Sequence, residues 1–247
     1  MTSTIYPDPT RNQKYFYWKP TYDFMVSFLN NNQELRVGCE VGVCGGQNIK
    51  HILENCMSVK KMYGVDSYSK DNWDMKDFIN VEKEFGSFDG LYHEAKIMLG
   101  QFGNRVEIIR KSSKCAALDF NDGSLDFVFI DAGHEFDDCY NDLISWYPKV
   151  KKNGFIIGHD FYNNACMGVT KAVLKYFSID NIVTYLEPIH IFICKKESLN
   201  ISLINKIKNR YLFYKKHPKL FLNYYEIINF KNKLKFIIKK FIRFFYL

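Results

Sequence analysis

The residues best placed to do chemistry in this chain sit in a glycine-broken turn, Gly38-Cys-Glu-Val-Gly-Val-Cys-Gly-Gly-Gln-Asn48, and in an acid that follows it, Asp66. The turn opens on a short run with β-branched residues ending at Val41, breaks at Gly42, Gly45 and Gly46, and passes into helical spacing from Asn48. At the carboxyl end of a parallel strand, such a turn lets a ligand lie against bare backbone and meet the N–H groups that open the helix. Glycine spacing by itself fits an ordinary tight turn equally well. The stretch Lys61-Met-Tyr-Gly-Val-Asp66 adds a second strand ending in a carboxylate about twenty residues on, where it can accept both hydroxyls of a ribose. The pair predicts a nucleoside cofactor. Two later strand ends bring Asp131, His134, His159 and Asp160 to the rim where that loop lies, the rim at which parallel sheets bind ligands.

The elements that must position these residues follow from pattern. With 247 residues, 47% hydrophobic and 17% aromatic, the chain can bury one sizeable core plus an appendage. Residues 1–35 read as an irregular arm with an aromatic cluster, Tyr15-Phe-Tyr-Trp18, and a leading helix from Tyr22 to Leu29. After the first strand and its helix (Asn48 to Cys56), the second strand leads into Ser67 to Gly90, a segment without clear periodicity that we read as a substrate-side insertion, with Tyr68 and Trp73 as acceptor-pocket residues or ordinary packing. A helix over 93–102, a strand over 105–110 and a short helix over 113–118 precede the plainest strand, Leu125-Asp-Phe-Val-Phe-Ile-Asp131. A helix from Phe136, broken near Pro148, then leads through Asn153-Gly154 into a fifth strand, Phe155 to Asp160. A helix over 166–176 and two closing strands joined through Glu187-Pro188 complete the series. Alternating strands and helices predict a doubly wound α/β domain over residues 36–195, a mostly parallel sheet closed by a hairpin.

These residues resemble the class I S-adenosylmethionine-dependent methyltransferases, in the small-molecule and sugar O-methyltransferase branch related to catechol O-methyltransferase. Glu40-Val-Gly-Val-Cys-Gly-Gly46, Gly64-Val-Asp66, Leu125 to His134 and Lys152-Asn-Gly-Phe-Ile-Ile-Gly-His-Asp160 carry the likeness, which spans about residues 36–195. It implies a seven-stranded, Rossmann-like sheet with a reversed last strand. It places Glu40, Gly42, Gly46 and Asn48 around the methionine half of S-adenosylmethionine, Asp66 on the ribose and Ser112 or Ser113 beside the adenine. Asp131 and Asp160 fall on metal-binding positions of the Mg²⁺-dependent members, with His159 beside them, and His134 on that of the general base. The catechol enzymes follow the second metal aspartate with asparagine, whereas here Phe161 follows Asp160.

Methyl transfer to oxygen needs an acceptor held near the sulfonium carbon and a group to take its proton, and positioning dominates the barrier. On this reading His134 accepts the proton, Asp131 lies at the reacting centre, and a Mg²⁺ ion on Asp131, Asp160 and His159 lowers the acceptor's pKa. The bland alternatives are a helix-capping Asp131 and a loop histidine at 134. Glu135, Asp137 and Asp138 sit where a helix dipole favours acids. Two rival functions are weighed: a dinucleotide oxidoreductase, which wants a G-x-G-x-x-G turn that Gly42-Val-Cys-Gly-Gly-Gln-Asn48 lacks, and a non-catalytic binding or membrane-tethering module.

Charge divides the chain. Residues 196–247 hold 13 of its 34 Lys and Arg and only Glu197 and Glu226 among the acids, so the remainder is net negative. Within this tail, Leu234, Ile237, Ile238, Phe241, Ile242 and Phe245 share one helical stripe and Lys235, Lys239 and Arg243 another. Such a basic amphipathic helix suits an anionic membrane surface, or its apolar stripe packs on the body or on a second copy in a homo-oligomer. Nucleic acid is disfavoured, because the aromatics lie on the apolar stripe. The N-terminus lacks a basic segment leading into an apolar run, and no uncharged stretch reaches the roughly 18 residues of a spanning helix, so we expect a cytoplasmic protein, peripheral at a membrane if the tail binds one. The seven scattered cysteines (39, 44, 56, 115, 139, 166, 194) indicate neither a disulfide framework nor a zinc knuckle and read as small buried residues.

Overall fold

The computed structural model describes residues 19–69, 75–177, 179–185 and 189–196. Seven strands form a single sheet: β1 (Val37–Val41), β2 (Lys61–Asp66), β3 (Val106–Arg110), β4 (Leu125–Ile130), β5 (Val150–Gly158), β6 (Ile182–Tyr185) and β7 (Ile191–Lys195). Their order is β3-β2-β1-β4-β5-β7-β6, parallel except that β7 runs against both β5 and β6. The reversed closing strand is therefore present, while residues 186–188, with the expected Glu187-Pro188 link, lie outside the described residues. The order reverses direction between β1 and β4, which puts a ligand crevice beyond their carboxyl ends.

The helices are α1 (Lys19–Asn30), α2 (Gln47–Asn55), α3 (Met75–Phe85), α4 (Phe88–Gly100), α5 (Ser113–Ala117), α6 (Phe136–Trp146) and α7 (Met167–Tyr176). One face of the sheet is covered by α1, α2 and α4, whose Met25, Leu29, Ile49, Ile52, Leu91 and Leu99 pack on Phe127, Phe129 and Ile157. The alternate strand residues Val128 and Ile156 are equally buried, as a sheet covered on both faces requires. Fully burying each such side chain contributes about 1.5–3 kcal/mol, so the strands are held rigidly where they end.

Several element boundaries differ from the sequence reading. The segment after Asp66 contains a helix, α3, whose amphipathic period the sequence reading missed. The fifth strand does not begin after Asn153-Gly154 but runs through it from Val150, absorbing a register shift against β4 with Asn153 in the left-handed region (φ 66°). Pro20, expected in an irregular arm, lies in the first turn of α1, where its missing N–H costs nothing. Residues 1–18, Trp73 and the amphipathic tail fall outside the described residues. Lys196, assigned to that tail, instead extends the β5–β7 pairing: its amide donates to Gly154 O and its Nζ to the carbonyls of Tyr147, Pro148 and Val150. Among the described residues no helix is long and apolar enough to cross a membrane.

Candidate active site

Three strands deliver the site through one backbone ladder. Gly42 donates to Val65 O (2.9 Å), Asp131 to Val41 O (2.8 Å) and His159 to Ile130 O (3.0 Å), so each functional residue stands one position past its neighbour's strand end. At Gly42, φ is +93° and a Cβ would lie 1.9 Å from the Asp131 carbonyl oxygen, so only glycine fits there. Gly46, also left-handed at φ 85°, turns the chain into α2.

Glu40 is buried, and its Oε2 accepts from Asn48 Nδ2 at 3.2 Å. Among the described residues it has no cationic partner in an ion pair. Burial, with Asp131 and Asp66 nearby and the Asn48 amide opposing, raises its pKa well above the usual carboxylate range. Among the described residues, Asn48 Oδ1 and the Gln47 Nε2 atom at the opening of α2 are buried without a hydrogen-bond partner. Asp66 is also buried, and its oxygens accept the N–H groups of Val43 (3.0 Å), Cys44 (2.9 Å) and Tyr68 (2.8 Å). Burial raises its pKa against the pull of those three donors. Asp66 thus holds the glycine turn in shape, a role its motif does not announce. Tyr68, considered for an acceptor pocket, is buried with its hydroxyl donating to Cys44 O at 2.9 Å, and braces the same turn.

At the ends of β4 and β5, two acids and two histidines meet. His159 Nδ1 lies 3.2 Å from Asp131 Oδ1 and 3.2 Å from Asp160 Oδ2, and its Nε2 lies 3.2 Å from the Thr21 hydroxyl of α1. Burial disfavours the imidazolium, yet Asp131 and Asp160 overcome it and push the His159 pKa up to about 10. His134 Nε2 lies 3.1 Å from the same Asp160 oxygen, with its side chain 44% exposed. Its hydrogen bond to Asp160 raises its pKa despite partial burial. Asp160 is held low by both histidines against its own burial. Asn163 Nδ2 donates to the other Asp160 oxygen at 2.7 Å, and the Asp160 backbone is left-handed at φ 57°, a strained placement of the kind that gathers at functional sites.

The expected adenine contact does not emerge as simply. The Ser113 hydroxyl is used inward, donating to Asp142 and accepting from Trp146 Nε1, while Ser112 is exposed at the N-cap of α5. Burial pushes Asp142, unremarked in the sequence, up to about 7. Asp137 and Asp138 do occupy the first turn of α6. The cysteines are not uniformly buried: Cys115 is exposed and Cys44 half-buried.

Mg²⁺ does not fit this donor set. Asp131, His159 and Asp160 offer ligand atoms within 4.8 Å of one another, but one is an imidazole nitrogen already bridging both carboxylates. Mg²⁺ demands an oxygen octahedron and keeps its waters. A small cavity of about 10 Å³ beside Asp131, His134 and Asp160 has room for about one water. A wider depression of about 390 Å³ near Asn30, Arg36, Asn55 and Lys60 lies where β1 and β2 begin, and its lining has neither acid nor histidine. The chemistry belongs at the other rim.

Residues 39–161, from β1 to just past β5, match the family model of a methyltransferase domain. The chain carries a methyltransferase domain over these residues. Its fold recurs in solved structures of low sequence identity. The S-adenosylhomocysteine-bound methyltransferase PaMTH1 of Podospora anserina superposes with a TM-score of 0.55 at 14% identity, covering 78% of this chain and 83% of that one. A provisionally assigned O-methyltransferase of Klebsiella pneumoniae gives 0.54 at 11% identity, covering 79% and 93%. A provisionally assigned caffeoyl-CoA O-methyltransferase of Staphylococcus aureus gives 0.52 at 16%, covering 72% and 84%. No curated protein matches the sequence. A site of this kind suits a cationic methyl donor on structural grounds: among the described residues Glu40 is a buried acid without a cation, and Asn48 and Gln47 atoms without partners lie at the opening of α2.

Proposed function

We propose that the domain transfers a methyl group from S-adenosylmethionine to a hydroxyl oxygen of a small acceptor, sugars included. S-adenosylmethionine would supply an electrophilic methyl carbon on a positively charged sulfur. Asp131 sets a negative potential for that charge, an approaching cation favours ionisation of the Glu40 carboxyl that burial otherwise holds protonated, and Asn48 and Gln47 offer hydrogen bonds at the opening of α2. His134 receives the acceptor's proton on Nδ1, while its Nε2 is held by Asp160, which orients the ring and stabilises the imidazolium that results. His159, held between Asp131 and Asp160, balances their charge without a metal ion.

The observation that carries the reading is the half-exposed His134 paired to buried Asp160 at the rim shared with the Gly42 turn. The test is incubation with methyl-labelled S-adenosylmethionine and a panel of small alcohols, phenols and sugars. Label recovered as an O-methyl ether supports the proposal, and label appearing only on nitrogen, carbon or sulfur acceptors counts against it. We further propose that residues 197–247 form a unit apart from the catalytic domain and lie on anionic membrane surfaces through Lys235, Lys239 and Arg243.

A further inference from the structure

Cys166 brings a thiol to the edge of this site that the methyl-transfer reading does not use. Its Sγ, a nitrogen of His134 and a carboxylate oxygen of Asp160 all lie within 4.8 Å of one another. His134 Nε2 and Asp160 Oδ2 are 3.1 Å apart. Tetrahedral zinc with bonds of about 2.0–2.3 Å separates its ligand atoms by roughly 3.3–3.6 Å, so small side-chain rotations complete the shell.

The chain between Asp160 and Cys166 is held by its own hydrogen bonds. Asn163 N donates to Asp160 O (3.3 Å), Cys166 N to Asn163 O (3.0 Å), and Ala165 N to Asn163 Oδ1 (3.1 Å), which fixes the spacing of positions 160 and 166. Asn163 Nδ2 also holds the second Asp160 oxygen, the outer hydrogen bond that ligating carboxylates require. Cys166 is the N-cap of the ten-residue α7. It is 8% exposed, whereas His134 is open to solvent and leaves an approach and a fourth position for water.

We propose that His134, Asp160 and Cys166 form a binding site for Zn²⁺. One thiolate, one imidazole and one carboxylate select a borderline-soft ion over Mg²⁺ or Ca²⁺. Occupancy takes the His134 lone pair, so zinc inhibits methyl transfer by withdrawing the proton acceptor. The metal site itself does not depend on the identity of the acceptor.

The test uses the full chain with the metal alone. Co²⁺, a spectroscopic stand-in for Zn²⁺, is expected to bind at one equivalent with a thiolate-to-cobalt charge-transfer band in the near ultraviolet. That band disappears in Cys166→Ser, and calorimetry shows Zn²⁺ affinity falling at least about 10-fold in Cys166→Ser and in His134→Ala. S-adenosylhomocysteine affinity stays within about twofold in Cys166→Ser, which also reports that the variant is folded. Should Cys166→Ser not fold, the His134→Ala titration decides alone. A band that survives Cys166→Ser overturns the proposal, as does the absence of zinc binding. Affinity that ignores Cys166→Ser and collapses in Asp131→Asn would move the ion to Asp131 and His159 and likewise overturn it.

Discussion

His134 Nε2 and Asp160 Oδ2 stand 3.1 Å apart, one open to the solvent side of the sheet rim and the other nearly enclosed. The carboxylate raises the imidazole's pKa, so His134 is poised as a proton acceptor only once the pH has climbed above the ordinary imidazole value of 6.5. The pH–rate profile is therefore expected to rise through an inflection above that value. In Asp160→Asn, which keeps a residue tolerant of left-handed backbone, the inflection moves to lower pH because the raising partner is gone. An inflection that does not move would show that Asp160 does not set the state of His134.

His159 makes the complementary prediction for stability. Its folded pKa of about 10 lies above the ordinary 6.5, so its contribution is complete below 6.5 and drains away as pH rises through about 10. Removing one partner from such a buried cluster costs about 3 kcal/mol or more. Urea unfolding should find His159→Asn destabilised by that amount at pH 6, with the deficit shrinking above pH 10. A deficit independent of pH would mean that the ring packs but carries no charge.

Gly42→Ala tests the turn. A methyl group there meets the Asp131 carbonyl at 1.9 Å, and a φ of +93° is strained for any L side chain. The substitution should cost several kcal/mol, on the order of 2–4, by combining overpacking with a left-handed backbone. Calorimetry should find S-adenosylhomocysteine binding lost in whatever fraction folds. Wild-type stability with unchanged binding would contradict the geometry.

Much of this arrangement was legible in sequence because the signals were local. A short run with β-branched residues stopped by Gly42 marked β1 at Val37–Val41, and Leu125 to Ile130 announced β4. The reversed β7 followed from the family likeness. The rest depends on tertiary contact. Thr21, 1% exposed on α1, reaches His159 across 138 residues of chain, and no spacing rule connects them. Asp126 lies in an apolar strand yet accepts the amides of Arg36 (2.9 Å) and Val37 (2.8 Å), tying the start of β1 to β4. Asp66 carried a motif whose usual meaning is a ribose contact, while its visible work is to hold the amides of Val43 and Cys44. A carboxylate motif specifies an acceptor and leaves the donor to the fold.

The basic tail invites a separate measurement. The full chain should sediment with vesicles containing anionic phospholipid and not with neutral ones, in a salt-sensitive way, each basic residue near the lipid contributing about 1 kcal/mol. Changing Lys235, Lys239 and Arg243 to Glu should abolish sedimentation while leaving S-adenosylhomocysteine affinity as it was. Unchanged sedimentation of the triple variant would remove the membrane proposal.

The most direct test of the whole account is single-turnover methyl transfer by His134→Ala beside the wild-type chain, with S-adenosylhomocysteine affinity measured on the same preparations. The expected result is a rate lowered by about 10²–10⁴-fold at unchanged cofactor affinity, the signature of a lost proton acceptor in an intact donor site. A variant that transfers methyl groups as fast as the wild type would place the proton acceptor elsewhere and contradict the site described.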